Sequence, residues 1–137
     1  MQKSDGRRVL HPPAWKAASG YANGIVASGR LAFVGGQIGW NADHAFESDD
    51  LVEQTRRALQ NVVDVLAEAG AGPAEIVRLT WYVTDRREYK AKRKEIGQVY
   101  RSVMGRHYPA MTLVEVSGLV EDEAKVEIEA TAVLSEP

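Results

Sequence analysis

Ala124-Lys125-Val126-Glu127-Ile128-Glu129-Ala130-Thr131-Ala132-Val133-Leu134 decides how this chain folds, because read at period two its faces are opposite in character. Val126, Ile128, Ala130, Ala132 and Leu134 form an apolar row, and Lys125, Glu127, Glu129 and Thr131 form a polar one. The spacing predicts a strand that needs a core on one side. On the other side, two carboxylates and an ammonium held on a rigid strand are where chemistry could reside, since burial and neighbouring charge shift their protonation.

Upstream, Met111 to Val116 reads as a partner strand, joined through the acidic turn Glu121-Asp122-Glu123. Asp85-Arg86-Arg87-Glu88 has capping-box spacing, and Tyr89, Ile96, Tyr100, Val103 and Met104 give the apolar stripe of a helix ending at Gly105. Glu75 to Thr84 alternates again, with Val77, Leu79, Trp81 and Val83 opposite Arg78, Thr80 and Tyr82. Before it, Ser48 is placed to cap a helix with Asp49 and Asp50 in its first turn and Gly70 as its stop. Leu51, Thr55, Ala58, Leu59, Val62, Leu66 and Ala69 form its stripe.

Ile25 to Ser28 and Leu31 to Val34 flank Gly29-Arg30, a pair suited to a II′ hairpin turn, and Gly35-Gly36-Gln37-Ile38-Gly39-Trp40 follows as a glycine-rich bend. Residues 1–20 read as an irregular arm because of His11-Pro12-Pro13. The expected order is ββαβαββ, an α+β domain over residues 21–137 with two helices on one face of a five-stranded mixed sheet. The uncovered face carries Arg78, Thr80, Tyr82, Lys125, Glu127, Glu129 and Thr131, together with Met111 and Leu113 or with Val114 and Val116, according to register. Its aromatic and apolar members favour closure by another copy of the chain over solvation.

At 137 residues the chain suits one domain, and its net charge of −2 gives no overall pull toward nucleic acid or anionic membrane. The absence of cysteine excludes disulfides, thiolate metal sites and cysteine nucleophiles. His11, His44 and His107 lack metal-ligand spacing. No stretch has the apolar length of a membrane span or a secretory signal, so a cytoplasmic protein is expected. The basic run Lys90, Lys92, Arg93 and Lys94 reads as a solvated helix face rather than an RNA site, because aromatic residues do not interleave it. Gly35, Gly36 and Gly39 are not a dinucleotide fingerprint, since no helix starts directly after them.

Gly20-Tyr21, Phe33-Val34-Gly35-Gly36-Gln37-Ile38-Gly39, the Gln54/Ala58/Leu59/Asn61/Val62 pattern ending in Ala69-Gly70, Thr80 to Asp85, Tyr108-Pro109-Ala110 and Val126-Glu127-Ile128-Glu129-Ala130 occur in an order that resembles the RidA (YjgF) family. The resemblance covers about residues 20–134. It implies a chorismate-mutase-like fold and a homotrimer whose sheets line a central barrel, with three clefts between subunits. It also implies hydrolysis of reactive enamines and imines, such as 2-aminoacrylate, to a keto acid and ammonia, with no cofactor or metal.

Carried over by position, Glu127 matches the carboxylate that orients the attacking water, Tyr21 the tyrosine beside the substrate, Gly36 a backbone contact, and Leu113 the position of a second one. Met111 is the departure. It follows Pro109-Ala110, where deaminases of amino-acid-derived imines carry an arginine that clamps the substrate carboxylate, and a thioether cannot make that bidentate bond. Arg78, Arg106 and His107 are the cations considered as replacements, and Trp40 is the tryptophan better placed to wall a pocket. Without the family match, Glu127 would read as a solvated carboxylate or one paired with Lys125 or Arg78, and Tyr21 as a packing residue. The competing functional readings are a ligand-binding or stress-protective trimer without catalysis and, more weakly, a ribonuclease.

Overall fold

The computed structural model describes residues 7–134. The apolar row of the C-terminal strand is buried throughout, from Val126 to Leu134, and Glu127, Glu129 and Thr131 lie opposite it. That strand, β6 (Val126–Leu134), is central. The elements before it are β1 (Arg8–Leu10), β2 (Gly24–Val26), β3 (Arg30–Ile38), α1 (Leu51–Ala67), β4 (Ile76–Val83), α2 (Arg86–Ala91), α3 (Arg93–Met104) and β5 (Ala110–Glu115), with a single 3-10 turn over Pro73–Glu75. The main sheet has the order β3-β6-β4-β5, antiparallel except for the parallel edge pair β4–β5.

This sheet has four strands rather than the expected five. β2 pairs with β1, Val9 opposite Ile25, so the arm is not irregular throughout and Gly29-Arg30 does not close a hairpin. Gly29 instead carries φ +142° directly before β3 and lies against the Leu134 carbonyl, where a Cβ would come within 2.7 Å. The arm before Arg7 and the last three residues of the 21–137 domain lie outside the described residues.

The core forms between one sheet face and the helices. Ala58, Leu59, Val62 and Leu66 of α1 are buried against Ile76, Leu79, Trp81 and Val83 of β4 and the inward row of β6. Each fully buried aliphatic side chain stabilises the fold by about 1.5–3 kcal/mol relative to exposure. A register shift between Ile76 and Arg78 gives Ile76 the core position and leaves Val77 only half-buried.

Asp50, not Ser48, is the N-cap of α1, its carboxylate accepting from the Glu53 N–H, while Ser48 Oγ accepts from the Asp50 N–H. Asp85 caps α2 as expected, accepting from the Arg87 and Glu88 N–H groups. The Glu88 side chain pairs with Lys125 at 3.8 Å, which draws Lys125 out of the polar row. The expected second helix is divided at Lys92, whose φ of −106° and ψ of 15° depart from helical values.

Two polar side chains fix how the helix layer meets the sheet. Gln54 is buried, donating through Nε2 to the carbonyls of Ser48 and Glu123 and accepting at Oε1 from the Lys125 N–H. Asn61 donates to the carbonyls of Ile38 and Trp40 and so holds the exit of β3. Together they anchor the entry to β6 and the exit of β3, the strand ends that meet where Ile38 pairs with Glu127.

Candidate functional site

The β3–β6 ladder skips Gly35 and Gly36, pairing Val34 with Ala130 and then Gln37 with Ile128. This bulge bares backbone beside Glu127. A Cβ at Gly36 would overlap the Glu127 carboxylate, coming within 2.7 Å of Cδ and 2.9 Å of Cγ, so only glycine leaves room for that side chain. Glu127 lies opposite Tyr82 on β4 and Ile38 on β3, on the sheet face without helices. Among the described residues it makes no ion pair; the pairing with Lys125 or Arg78 that charge alone suggested does not occur.

The open face around it is mixed. Phe33 is 72% exposed, Leu31 56%, and Val114 is also exposed, while Arg78, Thr80 and Glu129 line a small depression with Phe33 and Thr131. Tyr82 stands between the carboxylates. Its hydroxyl is held above the ordinary phenol range, first by partial burial, then by the negative charge of Glu129 and of Glu127.

Met111 and Leu113 are not on this face. β5 pairs Leu79 with Met111 and Trp81 with Leu113, which turns both toward the helix side, and Thr112 and Val114 take the outer positions beside Thr80 and Tyr82. There Met111 and Leu113 line a cavity of about 640 Å³ with Tyr21, Trp81, Tyr89 and Tyr100. Tyr21 is brought in by a bridge between Ala22 and Ala110 and by the Ala22 N–H donating to the Pro109 carbonyl at 3.0 Å. Tyr100 donates to the His107 carbonyl and stacks on Tyr108 with ring centroids 5.4 Å apart. Burial pushes the Tyr89 and Tyr100 hydroxyls up.

The remaining sequence candidates separate from these two groups. Arg78 shares the open face with Glu127, so it does not replace the missing clamp beside Met111 of the same chain. His107 is exposed, with its backbone carbonyl rather than its imidazole tied to Tyr100. Trp40 packs on His44, centroids 4.1 Å apart and ring planes nearly parallel, and on Phe46, bracing its own loop. Arg93 and Arg101, which line the Met111 cavity, were missed: the run around Arg93 reads as a solvated face, and the signal available was the spacing Arg93-Gly97-Arg101 along one line of a helix. Among the described residues no cluster of three His, Asp or Glu side chains could hold a metal ion, and no helix is long and apolar enough to cross a membrane.

One chain therefore carries two separate features on opposite faces of its sheet: the Glu127–Gly36 pair, and the Tyr21–Met111–Leu113 cavity. Known proteins share this arrangement of elements. The family model described as Endoribonuclease L-PSP matches residues 12–134. A RutC family protein of Haemophilus influenzae is 32% identical over 126 residues, covering 92% of this chain and 96% of that one. A protein named "Putative reactive intermediate deaminase TdcF" from Escherichia coli is 32% identical over 110 residues, 78% of this chain and 81% of its own. The crystal structure of TdcF with bound serine superposes with a TM-score of 0.67 at 30% identity, covering 93% and 99% of the two chains. That of YyfB, a conserved Rid family protein of unknown function from Yersinia pestis, reaches 0.84 at 34% identity, covering 94% and 99%.

Proposed function

The chain belongs to the endoribonuclease L-PSP family, the RidA/YjgF proteins, and from that premise we propose that it hydrolyses reactive imines and enamines in clefts shared between copies of itself. The observation that carries the reading is Glu127, a carboxylate without an ion-pair partner among the described residues, fitted onto the one glycine that leaves it room. Its half-site needs a second wall, and the Tyr21–Met111–Leu113 cavity at the β5 edge of a neighbouring copy would supply it. The exposed Phe33 and Leu31 favour closure of the open faces, and a homotrimer places three such clefts around one axis.

The chemistry asks little of the protein. A water held by Glu127 adds through oxygen to the electrophilic C=N carbon, and the carboxylate takes the proton that the water releases. With the imine nitrogen protonated at the outset, the adduct is a neutral carbinolamine; Glu127 returns its proton to the amino nitrogen, and as the C–N bond breaks the hydroxyl proton passes to the freed carboxylate, so that ammonia and a carbonyl product leave. Positioning supplies most of the acceleration, since the carbon is already electrophilic. Gly36, with its backbone outside the ladder, is free to contact the substrate, and Tyr21 borders it from the neighbouring copy.

Met111 favours a substrate other than 2-aminoacrylate, and it keeps one alternative in view: a trimer that binds a small ligand in the same clefts without turnover. The TdcF structure holds an amino acid, and ligand binding is common to both readings. The deciding experiment generates 2-aminoacrylate and a panel of larger imines in situ and follows ammonia and keto-acid release. The expected result is release from part of the panel with wild type and none above background with Glu127→Gln. Equal rates for the two proteins sink the catalytic role, and an untouched panel leaves the binding trimer.

A further inference from the structure

If the cavity beside β5 is one wall of that cleft, as the reading above has it, its own lining decides which molecules enter. α3 presents Arg93, Gly97 and Arg101 at i, i+4 and i+8, one line along the helix, and all three border the cavity with Met111. The Arg101 side chain runs back over Gly97, where a Cβ would lie in ordinary contact with Nη1 at 3.5 Å. Arg93 approaches Tyr89 closely enough for its charge to oppose the upward push that burial gives that phenol.

Among the described residues neither guanidinium has a carboxylate within ion-pair distance, whereas Arg56 is paired with Glu53 and Lys125 with Glu88. Two unpaired guanidinium groups bordering one cavity favour an anion there. Apart from Ser19, the rest of the lining is apolar or aromatic, chiefly Met111, Leu113, Tyr100 and Tyr108. Trp81 also lines it, and its indole N–H is buried without a partner. A cavity of about 640 Å³ belongs to the size range that takes drug-sized ligands, far above the needs of a three-carbon acid.

We propose that Arg93 and Arg101 of α3 hold the substrate carboxylate, and that the cleft selects imines of 2-keto acids whose side chain is aromatic or bulky and apolar. The anion is gripped from the helix instead of from β5. Met111, which has no hydrogen bond to offer a carboxylate, then contacts the apolar body of the ligand with Tyr100 and Tyr108, where a thioether and stacked rings fit an aromatic group well.

The test reads binding apart from turnover. Wild type is titrated by calorimetry with phenylpyruvate, the stable keto-acid counterpart of an aromatic imine, with pyruvate, and with phenylpyruvate methyl ester. Phenylpyruvate is expected to bind at least about tenfold more tightly than pyruvate, since a phenyl ring adds a large apolar surface. The Arg93→Gln/Arg101→Gln double variant, both positions being exposed, is expected to keep its circular dichroism spectrum and melting temperature. It is expected to weaken phenylpyruvate binding roughly 10–100-fold while leaving the ester unchanged. Equal affinity of wild type and double variant, equal affinity for the two acids, or no saturable binding to wild type overturns the proposal. Glu127→Gln is expected to bind phenylpyruvate like wild type; turnover that survives in it counts against the catalytic reading and leaves the arginine-dependent binding standing.

Discussion

The Glu127 side chain rests on the bare Cα of Gly36, across a bulge where the β3–β6 ladder lets go of the backbone. The position of this carboxylate thus depends on a missing methyl group. Gly36 does not have positive φ, so alanine is acceptable to the backbone there and only the carboxylate must move. Gly36→Ala is expected to cost less than about 1 kcal/mol of stability, because a flexible side chain yields more readily than backbone. It is expected to lower kcat for imine hydrolysis by about 100-fold, the usual scale of a misplaced general base. Steady-state kinetics beside thermal melting separates the two, and an unaltered kcat would remove Glu127 from the reaction.

Gln54 is the polar counterpart, a buried amide that satisfies the backbone on both sides of the turn into β6. Gln54→Met keeps the volume and strands the Lys125 N–H and the Glu123 and Ser48 carbonyls. A loss of about 2–4 kcal/mol is expected from the orphaned groups, read from urea unfolding. A loss below about 0.5 kcal/mol would mean that water satisfies those groups.

Gly39 behaves differently from Gly36 although only three positions separate them. A Cβ at Gly39 would meet Cα, Cβ and O of Gln54 at 2.7 Å, and backbone cannot swing aside. Gly39→Ala is expected to destabilise by about 1–3 kcal/mol, or more, through overpacking. Melting curves of the two alanine variants, measured side by side, are expected to differ clearly, with Gly39→Ala the lower.

Tyr100 contributes to the loss of stability at alkaline pH. Burial raises its folded-state pKa, with the nearby Tyr108 adding to the effect. The unfolded phenol ionises at about 10, so above that pH the unfolded chain binds fewer protons than the folded one and stability falls. The contribution is complete below about pH 10 and is lost as pH rises toward the folded value. Tyr100→Phe is expected to be less stable at neutral pH, since it loses the bond to the His107 carbonyl, but to show a shallower decline between about pH 10 and 11.5. Parallel slopes for the two proteins would show that this hydroxyl does not govern the decline.

Phe33 tests the assembly. It is the most exposed aromatic on the sheet face that the helices leave open, and Phe33→Arg puts a charge where closure by another copy requires apolar contact. Light scattering is expected to show a trimer for wild type and a smaller species for the variant, with hydrolysis lost in parallel. A wild-type monomer with full activity would remove the shared cleft.

The C-terminal strand, α1 and its stripe were legible because period two and period 3.6 are written directly into β6 and Leu51–Ala67. The extent of the main sheet was not. β1 pairs with β2 through only three residues, too few for a periodic signal, and the packing of Gly29 on the distant Leu134 carbonyl follows from the β3–β6 pairing, which local sequence does not display. Glu127 could be singled out from Glu129 only through family resemblance, since the strand pattern treats them alike. The contact with Gly36 distinguishes them physically, because nothing in a sequence tells which carboxylate lies above a bulge. The placement of Arg93 beside the cavity was hidden for a similar reason: a basic run on a helix reads as solvated until the sheet edge facing it is known.

Met111 and Glu127 lie on opposite faces of one sheet. On the intersubunit reading, this separation makes activity a property of concentration as well as of sequence. A chain diluted below its assembly constant holds every residue of the site and yet no complete site, so turnover per chain falls steeply as the trimer dissociates, through mass action alone.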